Sequence, residues 1–266
     1  MNAIKQNLRQ LLFNRQLLWI TLFSIAMGML ESAVVIYLRE IYYPQGFMFP
    51  LKPTSTNIAI TELVREFATL VMLLSIAVLV GKSAIERFAW FLFCFAVWDI
   101  FYYIFLYVFI DWPASVFEWD VLFLLPTMWV GPVWAPVLLS ITMIFLAMSI
   151  LYNQKRKMPN TLNKKVLLLL ISGSLIVIVS FCIDFYMYLI NSFPNQSIDK
   201  LFFSENIFEY SLSYVPQTFY IEIFLLGFFM ILAGIIIYLF QKRECVDQLL
   251  EINQQGNSKY LKCRIC

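Results

Sequence analysis

Four acidic residues each interrupt a separate long apolar stretch, and they are the side chains best placed to do chemistry: Glu31, Asp99, Asp184 and Glu222. A carboxylate at membrane depth costs so much free energy that its presence points to function. Such a group could bind a cation, exchange protons or hold a cationic or polar solute. The sequence contains no histidine, so these acids would act without the usual protonatable imidazole.

Polar neighbours at helical spacing add to this acidic group. Glu62, Arg65 and Glu66 follow one another at i, i+3 and i+4, which places them on one face of a helix. Tyrosines follow two of the acids at three or four residues, on the same helix face. The predicted solute- or ion-binding residues are Glu31, Asp99, Asp184, Glu222, Glu66, Arg65, Tyr102, Tyr103 and Tyr188.

The elements that must position these residues are membrane-spanning helices. The chain has 266 residues, of which 61% are hydrophobic and 14% charged, and an ordinary soluble domain is far less apolar. Six stretches approach the roughly 20 apolar residues that a spanning helix needs. They are 17–38, 61–81, 88–109, 133–152, 166–190 and 217–240. Because the stretches are continuous rather than alternating, they predict an all-α polytopic bundle and not a barrel.

The segment before span 4 does not fit a simple helix. Residues 121–152 carry no charge and are too long for one ordinary span, and proline and glycine interrupt them. Two interpretations of residues 119–135 stay open. One is a half-length helix that re-enters the membrane and breaks, and the other is an interfacial helix held by its tryptophans.

Basic residues predict the orientation. All but four of the 19 lysines and arginines fall on one side of the predicted bundle, and the four are Arg39, Lys52, Arg65 and Lys200. The positive-inside rule then places both termini in the cytoplasm of a multi-pass plasma membrane protein. The predicted parts are an amphipathic lead-in at 1–16, a six-helix domain at 17–240 and a cytoplasmic tail at 241–266. The intramembrane acids then lie in the outer half, with Asp99 deepest.

Several cofactor classes do not fit the composition. The absence of histidine argues against haem and zinc sites, which leaves an oxygen-ligated cation as the metal option. No phosphate-binding loop or dinucleotide-binding glycine pattern occurs, and no nucleic-acid partner is predicted.

The leading hypothesis is a protein that binds or transports a cation, a proton or a small polar or cationic solute in an acid-lined, outward-facing cavity. A membrane-embedded enzyme that uses two carboxylates on a lipid substrate is one alternative, although enzymatic activity is the less favoured interpretation. A structural or assembly subunit of a membrane complex is the other. The lipid bilayer is the expected partner, and a homo-oligomer or a partner subunit stays open.

Overall fold

The computed structural model describes residues 2–125, 127–155, 162–192 and 211–254, with the backbone alone for 2–13 and 242–254. Six helices and one two-stranded sheet make up this part of the chain. The helices are α1 (Asn2–Tyr42), α2 (Thr56–Val80), α3 (Ala84–Ile110), α4 (Trp134–Lys155), α5 (Lys164–Ser192) and α6 (Ile221–Gln254). The strands are β1 (Trp119–Phe123) and β2 (Trp129–Pro132).

The six predicted spans are confirmed as six helices long and apolar enough to cross a membrane. Among the parts of these helices that could span a membrane, which include Asn14–Tyr42 of α1 and Ile221–Gln241 of α6, the bounds differ most from the prediction at α2. That helix begins at Thr56 rather than at 61. Residues before the first span belong to α1, whose backbone is one helix from Asn2, and α6 continues to Gln254. The rest of the predicted tail, from 255 on, lies outside the described residues.

The prediction of a re-entrant or interfacial helix before α4 is wrong. Strands β1 and β2 pair antiparallel, with Trp119 opposite Pro132 and Val121 opposite Val130, and the register shifts between Val121 and Phe123. Aromatic and β-branched side chains favour a strand here, and prolines disfavour a helix. The fold is therefore mostly helical with one β-hairpin, and not all-α.

Helix α3 is the centre of the first four helices, because it packs against α1, α2 and α4. It begins after Ser83, whose hydroxyl accepts a hydrogen bond from the Glu86 N–H, and ends at Asp111 in the left-handed conformation. Helix α1 comes so close to α3 that a Cβ on Gly28 would meet the Trp98 carbonyl oxygen at 3.0 Å. Small residues allow such close helix contacts within membranes.

Helices α5 and α6 form a second tight pair. A Cβ on Gly173 would meet the Gly227 carbonyl oxygen at 2.7 Å, and a Cβ on Gly227 would meet that of Gly173 at the same distance. Strand β2 packs against α5, where Gly131 faces the ring of Phe181. The hairpin therefore connects the α5–α6 pair to the first four helices.

The bundle has two ends of different character. At the hairpin end, α1, α3 and α5 finish, α2, α4 and α6 begin, and the strands lie across them. The half of the bundle at the opposite end is filled by the largest apolar cluster, which includes the fully buried Leu73, Trp90 and Ile150. Basic residues such as Lys82 and Lys165 stand at the helix termini of that opposite end.

Candidate functional site

A cavity of about 380 Å³ lies at the hairpin end, between α1, α2, the hairpin and the loop after α1. Most of its lining is apolar, including Val35, Leu38 and Ile58. Six charged side chains complete the lining: Arg39, Lys52 and Arg65, and Glu62, Glu66 and Asp120. An apolar cavity of this size with a few convergent polar groups is the usual form of a small-molecule site.

The first polar element of this cavity is a buried ion pair. Arg39, in the last turn of α1, donates to Oδ1 of Asp120 on β1 at 3.1 Å, and their relative exposures are 7% and 2%. The guanidinium also lies over the rings of Trp112, at 3.6 Å from the centroid, and Phe47, at 4.4 Å. These aromatic contacts hold the arginine where desolvation strengthens a cation–π interaction.

The pair is only partly satisfied by the residues that the structure describes. Nη1 of Arg39 and Oδ2 of Asp120 are buried without a hydrogen-bond partner there. Burial raises the pKa of Asp120 to about 6, against the opposing effect of the Arg39 charge. Unpaired buried polar atoms are rare in proteins, and they are frequently retained for a functional reason.

The second polar element surrounds Arg65 on α2. Its Nε and Nη2 donate to Oε2 of Glu62 at 2.9 and 2.7 Å, and its Nη1 donates to Glu31 on α1. The Thr69 hydroxyl lies 3.1 Å from the other oxygen of Glu31. One arginine thus neutralises one of two carboxylates, and this small network joins α1 to α2.

The third polar element is Glu66, one residue further along α2. Both of its carboxylate oxygens accept from the backbone N–H of Leu124, at 3.0 and 3.2 Å. Leu124 lies directly after β1, so this contact fixes the hairpin against α2. The Leu125 backbone adds a second interaction, and the carboxylate keeps further acceptor capacity.

A smaller cavity of about 60 Å³ lies next to the large one and contains Asp99. The Ser140 hydroxyl of α4 donates to Oδ2 of Asp99 at 2.8 Å. Trp98 also lines this cavity, and its buried indole N–H has no partner among the described residues. The volume and the polar lining suit a few water molecules.

The two cavities share five lining residues, which are Val35, Arg65, Glu66, Tyr102 and Val121. Asp99 lies eleven residues before the end of α3 at Ile110, which is about 16 Å along the helix. The hydrocarbon core of a bilayer is about 30 Å thick. The polar lining therefore runs from the hairpin end to about half the depth of a membrane.

The structure brings together only part of the predicted site. Glu31, Arg65, Glu66, Asp99, Tyr102 and Tyr103 all line the small cavity. Within that group, the rings of Tyr102 and Tyr103 contact each other at 4.9 Å. Six of the nine predicted residues therefore lie around one cavity, and their binding of a solute or an ion stays a prediction.

The other three predicted residues line neither cavity. Asp184 accepts from the Tyr214 hydroxyl at 2.7 Å and from the N–H groups of Gln217 and Thr218 at 3.0 and 3.1 Å, so it fixes the segment before α6. Tyr188 packs on Tyr214, with ring centroids 5.3 Å apart. Glu222 is exposed in the first turn of α6.

Four charged residues of the large cavity were missing from the predicted set: Arg39, Lys52, Glu62 and Asp120. Arg39 carried a usable signal, because it is a lone cation at the end of an apolar span. Asp120 carried a weaker one, as a single acid between Trp119 and Val121. Neither signal shows that the two residues pair, since 81 positions separate them.

The donor set has a different character from the acid-rich cavity that the sequence predicted. Two arginines neutralise much of the carboxylate charge. Within the described ranges, no three Cys, Asp or Glu side chains group closely enough to hold a metal ion. The arrangement therefore suits a polar ligand that meets both signs of charge better than a bare metal cation.

Comparison of the chain with protein-family models, with curated proteins and with solved structures found no match.

Proposed function

We propose that this chain is a membrane protein that binds a small polar or amphipathic molecule in the large cavity, as a step in its transport. The hairpin end faces the outside of the cell in the orientation that the basic residues predict. The small cavity then forms the inner end of the path, where Asp99 exchanges a proton or holds a polar group.

The observation that carries this proposal is the wall of side chains that the two cavities share. Arg65, Glu66 and Tyr102 line both, so polar side chains follow one another from an end of the bundle to an acid near mid-depth. Ionisable groups inside a membrane protein commonly mark the path of a substrate or a proton. A polar wall of this length supports transport more than an isolated surface site would.

A structural subunit is the second candidate, and the internal ion pairs favour it. Arg39 and Arg65 each pair with acids of this chain, as they would if their role were to hold helices together. A cavity of about 380 Å³ has no use in that role, however. The experiment must therefore ask whether the cavity is occupied.

The test is to fill the cavity and ask what is displaced. Ala59 lines the cavity, so Ala59→Trp should occupy it, whereas Ala68→Trp places the same side chain on an exposed position of the same helix. The full chain and both variants are purified in detergent, and small molecules released on denaturation are identified by mass spectrometry. A molecule that the wild type and Ala68→Trp retain and Ala59→Trp loses supports the proposal.

The opposite result is equally informative. If the three proteins release the same molecules in the same amounts, the cavity binds nothing and the structural subunit becomes the better description. Transport is tested separately by reconstitution with the retained molecule. Its flux should be lost in Asp99→Asn, and an unchanged flux would remove Asp99 from the path.

A further inference from the structure

The charges that line the large cavity cancel. Three cationic side chains, Arg39, Lys52 and Arg65, face three anionic ones, Glu62, Glu66 and Asp120. A ligand of net charge would bring an unbalanced charge against this wall, whereas a ligand that carries one charge of each sign would not. The charge count therefore favours a zwitterion over a simple anion or cation.

The pairing of these six residues leaves one of each sign available. Arg39 pairs with Asp120, and Arg65 is shared between Glu62 and Glu31, the second of which lines only the small cavity. Among the residues that the structure describes, Lys52 and Glu66 enter no ion pair. The Lys52 ammonium lies 5.5 Å from the ring centroid of Tyr43, and Glu66 accepts from backbone N–H groups, at Leu124 and Leu125. The cavity thus offers one unpaired cation and one unpaired anion to a ligand.

The apolar part of the wall indicates where the rest of the ligand goes. Val35 and Leu38 of α1 and Ile58 and Leu63 of α2 line the cavity between these two helices. Leu63 is also 36% exposed on the outer surface of the bundle. Helices α1 and α2 touch each other only slightly, because each packs mainly against α3. A gap with apolar sides therefore lies where lipid would surround a spanning bundle.

We propose that the large cavity holds the headgroup of a zwitterionic membrane lipid, with its phosphate near Lys52, its ammonium near Glu66 and its chains leaving between α1 and α2. This inference rests on the proposed function and names the ligand class of the same cavity. Arg39, beneath the aromatic rings of Trp112 and Phe47, is the second donor for the phosphate.

The experiment measures lipid binding to the detergent-purified full chain by native mass spectrometry. The probes are dioleoyl phosphatidylethanolamine, dioleoyl phosphatidylglycerol with the same chains and an anionic headgroup, and glycerophosphoethanolamine with the same headgroup and no chains. We expect one molecule of phosphatidylethanolamine per chain, bound about tenfold or more tightly than phosphatidylglycerol. Glycerophosphoethanolamine should show no saturable binding at the same concentration.

The variants test the two unpaired charges. Lys52→Gln and Glu66→Gln should each weaken phosphatidylethanolamine binding by about tenfold or more. Lys52 is exposed, and a glutamine at 66 can still accept from the Leu124 N–H, so both variants should keep the fold. The controls are Lys165→Gln, at the opposite end, and Glu40→Gln, an exposed acid beside the cavity, and both should bind as the wild type does.

Three results would overturn the inference. The first is equal binding of the two lipids, and the second is unchanged binding in both Lys52→Gln and Glu66→Gln. The third is binding of glycerophosphoethanolamine as tight as that of the lipid, which would assign the cavity to a water-soluble zwitterion. The Ala59→Trp comparison separates these from failure of the proposed function. If Ala59→Trp still displaces a bound molecule, only the ligand class is wrong.

Discussion

The two halves of this bundle differ in how closely their side chains pack and in how much charge they bury. Around the hairpin, charged side chains are buried, two cavities remain open between the helices and some polar atoms have no partner. In the half towards the opposite end, fully buried side chains such as Leu73, Trp90 and Ile150 fill the interior. Close packing stabilises a fold, whereas a buried ion pair often contributes little net stability and cavities cost some. The difference is what our proposal requires, in which the apolar half supplies stability and the hairpin half binds the ligand.

The largest expected effect comes from breaking the buried ion pair on one side only. Arg39→Ala leaves the Asp120 carboxylate buried without its cation, which should lower the free energy of unfolding by about 3–5 kcal/mol. Unfolding in detergent, followed by the tryptophan signal, measures this. The double variant Arg39→Met, Asp120→Leu should recover much of the loss and still fail to bind ligand. A loss below about 1 kcal/mol in Arg39→Ala would contradict a buried pair.

The apolar half gives the next effect, without any effect on binding. Leu73 is fully buried, and Leu73→Ala should lower the free energy of unfolding by about 3 kcal/mol through lost contacts and a new cavity. Leu79 on the same helix is 79% exposed, so Leu79→Ala is the matched control and should change stability little. The comparison between the two halves fails if Leu73→Ala removes ligand binding at unchanged stability.

The free energy of unfolding should change with pH because of the titration of Asp120. Burial raises its pKa from an ordinary 3.8 to about 6, so between these values the folded chain holds a proton that the unfolded chain has released. Its contribution to the free energy of unfolding therefore falls as the pH rises from about 4 to about 6, by at most about 3 kcal/mol.

Asp120→Asn removes this titration and supplies the reference. The difference in the free energy of unfolding between wild type and Asp120→Asn should change across that pH window and be constant above about pH 7. A difference that is constant from about pH 4 to about pH 7 would show that Asp120 titrates alike in the folded and unfolded chain.

The smallest expected effect concerns the support of Asp99. Ser140→Ala removes the hydroxyl that donates to Asp99 at 2.8 Å, which should cost about 1 kcal/mol of stability. Ser149 on the same helix donates to the Phe145 carbonyl of its own helix and is only partly buried, so Ser149→Ala is the control. A flux assay should respond to Ser140→Ala and not to Ser149→Ala if the small cavity belongs to the path.

The spans were predictable from the sequence because each is a continuous apolar stretch, and hydrophobicity alone identifies such helices. The acids and tyrosines at Glu31, Asp99 and Tyr102 could be grouped because helical spacing fixes their faces and depth. Both inferences depend on local sequence; the spans are confirmed, and the role of these acids and tyrosines as a site stays a prediction.

Long-range pairing could not be predicted in the same way. The hairpin was not predicted because residues 121–132 carry no charge and are mostly apolar, so no alternation distinguishes them from a helix. The Arg39–Asp120 pair depends on how that hairpin folds back over α1. Asp184 looked like a site residue because its backbone partners, the N–H groups of Gln217 and Thr218, leave no trace in side-chain patterns.

The close glycine contacts have a mechanical consequence. Helices α1 and α3 are clamped at Gly28, and α5 and α6 at Gly173, so each pair should move as one body. Helix α2 is held differently: Leu73 packs it deep in the bundle, whereas Arg65 and Glu66 make polar contacts at its hairpin end. We expect the hairpin end of α2 to move about Leu73 when the polar contacts of these two residues are broken. A ligand that competes for these contacts would release α2 from the hairpin and so widen its own entry to the cavity.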